Sequence, residues 1–162
     1  MGLLKENISF VVVCYKSSLA LKSLLLSIPK ESEVILVDNS QDRETEEIAN
    51  LYDCILIQNQ ENLGYGSACN IGSKKATGSY LFFINPDSKL MPETLSELIK
   101  AANNYPEASA FNPKIIDQSG KQNFKRRSVL LPKSEWMSRK FPSFDRDVSV
   151  LSGAAIFIKK EN

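Results

Sequence analysis

Apolar positions in this chain switch between two periods. Residues 8–14 (ISFVVVC) form a continuous, largely β-branched run, as expected of a strand covered on both faces. After Ser17-Ser18, the positions Leu21, Leu24, Leu25 and Ile28 recur at i, i+3, i+4 and i+7, which predicts a helix that Pro29 ends. Residues 34–37 (VILV) read as a second strand. Residues 42–51 read as an exposed amphipathic helix with Ile48 and Leu51 among glutamates, and residues 54–57 as a third strand. Residues 65–77 read as a small-residue helix with Ala68, Ile71 and Gly72 on one face and Gly78 as its stop. Residues 80–84 (YLFFI) give a fourth strand, and Pro92 stands in the first turn of a helix bearing Leu95, Leu98, Ile99 and Ala102.

This alternation predicts an α/β fold: a mostly parallel, Rossmann-like sheet flanked by helices and joined by right-handed crossovers. Beyond Tyr105-Pro106 the pattern weakens. Residues 111–116 read as a short strand, residues 119–146 as an extended, basic, proline-containing loop, and residues 148–158 as a last strand.

Composition narrows the chemistry. The 162 residues fit one domain, and 20 Lys+Arg against 19 Asp+Glu argue against a nucleic-acid binder that works through bulk charge. The charge is uneven: residues 1–100 carry 9 basic and 13 acidic side chains, residues 101–162 carry 11 and 6. The chain has no His, which removes imidazole bases, His-ligated zinc and His-containing triads. Cys14, Cys54 and Cys69 form no CxxC pair and lie among apolar or small neighbours, so they read as buried reduced thiols in a reducing compartment. No run reaches the ~20 apolar residues of a spanning helix. These features together predict a soluble, cytoplasmic protein.

The polar residues fall where a ligand site of such a sheet is expected, just past the carboxyl ends of the strands. Tyr15-Lys16 follows the first strand, Asp38-Asn39-Ser40 the second, Asn59 through Gly66 the third, and Asn85-Pro86-Asp87-Ser88 the fourth. Each has a plainer reading as well. Asp38-Asn39-Ser40 fits a helix N-cap, Asn85 to Ser88 an ordinary turn, and Gly64-Tyr65-Gly66 is a lone GxG without the third glycine of the dinucleotide fingerprint. No Walker A pattern is present. In combination, a carboxylate at the second strand end suits the NH or hydroxyl groups of a nucleoside. A second carboxylate, on the turn after the fourth strand, suits Mg²⁺ or Mn²⁺ bridging a diphosphate.

These segments, in this order, resemble the nucleotide-sugar-binding half of a family 2 glycosyltransferase with the GT-A fold. The resemblance rests on Tyr15-Lys16 after VVVC, on Val37-Asp38-Asn39-Ser40, on Glu61 through Asn70, which is close to the NxGxGxxxN signature of rhamnosyltransferase-like members, and on Asn85-Pro86-Asp87 in place of a DxD motif. A fifth piece, residues 151–156 (LSGAAI), resembles the strand leading to the acceptor side. The resemblance implies that Tyr15 lies against the nucleotide and Asp38 binds the base or ribose. It gives Asn62, Gly64 and Asn70 the diphosphate and sugar pocket, Asp87 the divalent cation with Asn85 beside it, and Gly153 and Ala154 the floor of the sugar site.

The implied reaction is inverting transfer of a sugar from a UDP- or dTDP-linked donor to a saccharide or lipid-linked acceptor in surface-polysaccharide synthesis. Residues 8–105 would be the nucleotide-binding core and residues 106–162 the start of the acceptor-side region, within one domain. Family members carry a carboxylate general base well beyond the Gly-Ala strand, whereas Glu161 is the only carboxylate here after Gly153, and it stands too close to that strand to be the counterpart. The resemblance therefore puts the general base beyond Asn162, the last residue of the sequence. The expectation is a C-terminally truncated fold that binds donor and transfers sugar poorly or not at all. The alternatives are a non-catalytic module binding a nucleotide or partner protein, and a sugar nucleotidyltransferase. Against the latter, Tyr15-Lys16-Ser17-Ser18 lacks the glycines such enzymes place after the first strand. The basic stretch 114–140 reads as a solvated loop or as a surface for anionic acceptors at the inner face of a membrane, and Trp136 within it as a core anchor or an interfacial contact. An uncovered strand at residues 151–158 would favour homo-oligomers.

Overall fold

The computed structural model describes residues 8–117, 119–121 and 153–160. Its elements run β1 (Ile8–Cys14), α1 (Ser18–Leu25), β2 (Glu33–Asp38), α2 (Arg43–Leu51), β3 (Ile55–Gln58), α3 (Tyr65–Lys75), β4 (Tyr80–Ile84), α4 (Thr94–Asn104), β5 (Ala110–Phe111) and β6 (Ala155–Lys159). The sheet order is β3-β2-β1-β4-β6-β5. Strands β1 to β4 are parallel, and β6 runs antiparallel to both β4 and β5. The expected α/β sheet is present, with an antiparallel edge that the periodicity did not show.

Strand alternation sends side chains to two separate cores. Phe10, Val12 and Cys14 of β1, Val34 and Leu36 of β2, and Phe82 and Ile84 of β4 face the larger one. There they meet Leu21, Leu24 and Leu25 of α1, Ile48 and Ala49 of α2 and Leu98 of α4. Val11, Ile35, Val37 and Leu81 face the other side, against Ala68 of α3. The continuous apolar run of β1 is thus explained by helices on both faces. The small residues of α3 let its backbone lie close to the sheet. A Cβ at Gly72 would run into the side chains of Val11 and Val37. At the β4–β6 seam, Phe82 meets Phe157 edge-on at 5.8 Å and Tyr80 stacks on Phe157 at 5.0 Å.

Several boundaries differ from the sequence pattern. Helix α3 ends at Lys75 because Ala76 is extended (φ −65°, ψ 139°), so Gly78 is not its stop. Gly78 instead donates its N–H to Ser9 Oγ at 2.8 Å. Pro92 precedes α4, in a turn closed by Thr94 N–H on the Met91 carbonyl at 3.0 Å. Helix α1 stops short of Pro29, its end tightened by Ser27, which gives both its N–H and its hydroxyl to the Leu24 carbonyl. The strand expected over 111–116 is reduced to Ala110–Phe111. Residues 122–152, and with them Trp136 and most of the basic loop, lie outside the described residues, as do Glu161 and Asn162.

At the opposite end of the sheet from the candidate site, Glu33 closes a polar cluster. Its carboxylate accepts from Ser9 Oγ, from Thr77 N at 2.8 Å and from Thr77 Oγ1 at 2.7 Å. Partial burial pushes the Glu33 carboxyl up, but the hydrogen bonds from Ser9, Thr77 and Gly78 outweigh it and hold the group below its ordinary value. A depressed folded-state pKa adds stability that is complete above the unfolded value of about 4.3 and is lost as pH falls through the folded value. Glu33→Gln should therefore lower stability at neutral pH and make the acid limb of the denaturation profile shallower below about pH 4. Urea melts across pH 3–7 check this, and parallel profiles for the two proteins would refute it.

Candidate functional site

The parallel strands all end on one rim, and the strand order reverses between β1 and β4, with β2 and β3 on one side. This is where a crevice opens in such sheets. The antiparallel course of β6 brings its first residues to the same rim. Ile84 pairs with Ala155, and Asn85 N–H donates to the Ala154 carbonyl at 3.0 Å. Gly153 and Ala154 therefore stand beside the Asn85–Ser88 turn.

That turn is closed by Ser88 N–H on the Asn85 carbonyl at 3.1 Å. Pro86 sits at the second position, where its fixed φ suits the turn. Asp87 follows it, exposed, and its carboxylate has no hydrogen-bond or ion-pair partner among the described residues. Asn85 is half-buried.

Asp38 presents the opposite case. It is fully buried, and its Oδ1 accepts from Ser40 N at 2.8 Å and Ser40 Oγ at 2.7 Å while Oδ2 accepts from Asp42 N at 2.8 Å. The N-cap of α2 is Asp42, whose side chain accepts from Glu44 N. Asp38 organises the loop before that cap.

A second network joins the β2 and β3 ends. Asn39, only 4% exposed, accepts from Asn59 Nδ2 at 2.7 Å and donates to Asn62 Oδ1 at 3.2 Å and to the Gly64 carbonyl at 3.4 Å. Asn62 Oδ1 also accepts from Gly64 N at 2.9 Å. Gly64, at φ 78°, turns the chain into α3, a conformation that a side chain would strain. Tyr65 then reaches across the rim and donates its hydroxyl to the Gly153 carbonyl at 2.9 Å. Burial pushes the Tyr65 phenol well up, so it remains a donor.

The sequence places Asn39 and Tyr65 within the strand-end segments but gives neither an individual role. The available signal for Asn39 was a short amide placed directly after a fully buried strand. Asn70 lies within α3, exposed, and its side chain has no hydrogen-bond partner among the described residues. Tyr15 is 52% exposed at the end of β1. The general base expected beyond Asn162 is not among the described residues.

All three thiols are held in their protonated form by burial. Burial pushes the Cys14 thiol up to about 12 and the Cys54 thiol to about 11, and it raises Cys69 as well. Cys14 is buried, as expected, whereas Cys54 and Cys69 are only partly covered. Among the described residues no group of three His, Cys, Asp or Glu side chains gathers to hold a metal by itself. No described helix is long and apolar enough to cross a membrane.

The family described as Glycosyl transferase family 2 matches residues 9–161. A low-salt glycan biosynthesis hexosyltransferase of Haloferax volcanii is 28% identical over 121 residues, which cover 71% of this chain and 38% of that protein. The poly-β-1,6-N-acetyl-D-glucosamine synthase of Staphylococcus aureus is 28% identical over 124 residues, 70% of this chain and 30% of the synthase. The chain thus spans about a third of the length of these curated relatives.

Among solved structures, S. aureus TarS 1–349 in complex with UDP-GlcNAc matches with TM-score 0.66 and 22% identity over 93% of this chain and 44% of that one. The mannosyltransferase PcManGT of Pyrobaculum calidifontis, in complex with GDP-Man and Mn²⁺, matches with TM-score 0.59 and 20% identity over 65% of this chain and 34% of that one. Both are likenesses of fold.

Proposed function

The chain belongs to glycosyl transferase family 2, and from that premise we propose that its strand-end rim binds the nucleoside diphosphate of a UDP- or dTDP-sugar with a divalent cation. The observation that carries this reading is the exposed Asp87 carboxylate, which has no hydrogen-bond or ion-pair partner among the described residues and lies on a turn that also borders Gly153 and Ala154. A single hard-oxygen ligand is enough for Mg²⁺ or Mn²⁺ when the ligand's own phosphates complete the sphere. The residues present therefore fit such a metal, held by Asp87 with Asn85 beside it. Bound there, it would stabilise the departing diphosphate.

In this reading Tyr15 lies against the nucleotide, and Asp38, expected to bind the base or ribose, instead shapes that side of the site by holding its own loop. Asn62 and Gly64 set the opening of α3 beside the diphosphate, Asn70 belongs to the donor pocket, and Gly153 and Ala154 floor the sugar. Residues 8–105 form the donor core, and the region from 106 onward belongs to the acceptor side. The acceptor is a saccharide or lipid-linked saccharide of a surface glycan, and transfer proceeds with inversion. We assign no general base to a described carboxylate, since Asp87 serves the metal and Asp38 its own loop. The two structural neighbours, bound to UDP-GlcNAc and to GDP-Man with Mn²⁺, support a nucleotide-sugar ligand.

Calorimetric titration with UDP, dTDP and GDP, each with and without Mn²⁺, tests this. Metal-enhanced binding of a uridine or thymidine diphosphate is the expected result. Folded protein that binds none of them, with or without Mn²⁺, would overturn the proposal.

A further inference from the structure

We propose that Ser40 is a positioning residue for donor binding: its hydroxyl holds the turn that presents the Tyr15 ring to the nucleobase, and Asp38 acts through it instead of touching the base. This rests on the donor-site reading of the rim.

Both Asp38 oxygens are engaged by their own loop, and the residue has no exposed surface. The carboxylate has no face open to a ligand. Ser40 gives its hydroxyl hydrogen to Asp38, so its oxygen is free to accept, and it accepts from Lys16 N–H at 3.0 Å. Lys16 has φ 49°, in the left-handed region that a residue with a Cβ seldom adopts. The chain just before it is pinned too, because Asn39 N–H donates to the Cys14 carbonyl at 2.9 Å. Strand β1 thus leaves the sheet through a turn whose shape is held from the β2 end.

The consequence is where Tyr15 stands. Its ring is half exposed at the rim, with the Lys16 ammonium 5.7 Å from the ring centroid. A half-exposed aromatic side chain with a cation near its ring suits contact with a planar heterocycle. Asp38, Ser40, the Lys16 amide and Tyr15 form a relay that moves no proton. It fixes where a base can stack.

Titration of Ser40→Ala, Ser40→Thr and Tyr15→Ala with UDP plus Mn²⁺, and with inorganic pyrophosphate plus Mn²⁺, isolates the base from the phosphates. Loss of one positioning hydrogen bond should raise the Kd for UDP about fivefold in Ser40→Ala. Pyrophosphate binding should be unchanged, Ser40→Thr should restore UDP binding, and adding Ser40→Ala to Tyr15→Ala should cost nothing further. Tyr15→Ala, at an exposed position, keeps the test open should Ser40→Ala fail to fold: it should lose UDP affinity and keep pyrophosphate affinity.

Wild-type affinity for UDP, or a gain, in Ser40→Ala would overturn the inference and return Asp38 to direct contact with the base. Equal losses for UDP and pyrophosphate would reduce Ser40 to a purely structural part. A wild-type chain that binds pyrophosphate but gains nothing from the uridine would sink the relay while sparing a phosphate site. One that binds neither removes the donor reading as well.

Discussion

Asp87→Ala should abolish the metal-dependent part of nucleotide binding without loosening the fold. The Asp87 side chain is exposed and makes no hydrogen bond or ion pair among the described residues, so its removal leaves nothing buried unpaired. Surface changes of that kind usually move stability by no more than about 0.5 kcal/mol. What the substitution does remove is the one carboxylate on the turn beside Gly153 and Ala154, and Asn85 offers only a neutral amide in its place. Because the metal would be shared between one protein carboxylate and the diphosphate, losing that carboxylate should weaken UDP binding in Mn²⁺ by about ten- to a hundredfold, or roughly 1.4–2.8 kcal/mol. Wild-type protein in EDTA should fall to the same level, and the variant should be insensitive to EDTA. An Asp87→Ala variant that keeps its Mn²⁺ enhancement would place the cation elsewhere.

The sequence made the rim legible but not its internal bonding. Polar residues that follow each buried strand announce a site, because nothing in the core needs them. Whether a strand-end carboxylate faces a ligand or its own loop depends on two or three backbone N–H directions. Periodicity carries no information about those. Asp38 and Asp87 look alike in the sequence, yet one is sealed by Ser40 and Asp42 and the other stands open.

The same limit separates the elements. The bounds of β1 were readable because seven consecutive residues are covered on both faces or nearly so. The end of α3 was not, because Gly78 is a plausible stop by composition while the chain actually leaves the helix at Ala76. The antiparallel β6 was readable as a strand, but its place between β4 and β5 rests on pairs such as Ile84 with Ala155. Residues so far apart in the chain leave no local pattern.

That placement makes Phe157→Ala the most damaging single truncation we expect. Phe157 has no exposed surface, meets Phe82 edge-on and stacks on Tyr80. Deleting a buried Phe side chain costs about 3–5 kcal/mol from lost transfer energy and the cavity left behind. Aromatic contacts of this geometry add up to about 1.5 kcal/mol to what area alone supplies. Against a typical domain stability of about 5–15 kcal/mol, the variant should be largely unfolded or melt far below the parent in urea or on heating.

Phe157→Leu, which keeps most of the volume, should cost less and stay folded. The two variants together separate a filled core from a strand resting on the sheet edge, because a loss under about 1 kcal/mol in Phe157→Ala is the surface result. The consequence reaches the rim. Gly153 and Ala154 are held there through the β6 register, the Asn85 amide and the Tyr65 hydroxyl. A folded Phe157→Leu protein with a looser seam should therefore lose more affinity for a nucleotide-sugar than for the bare nucleoside diphosphate.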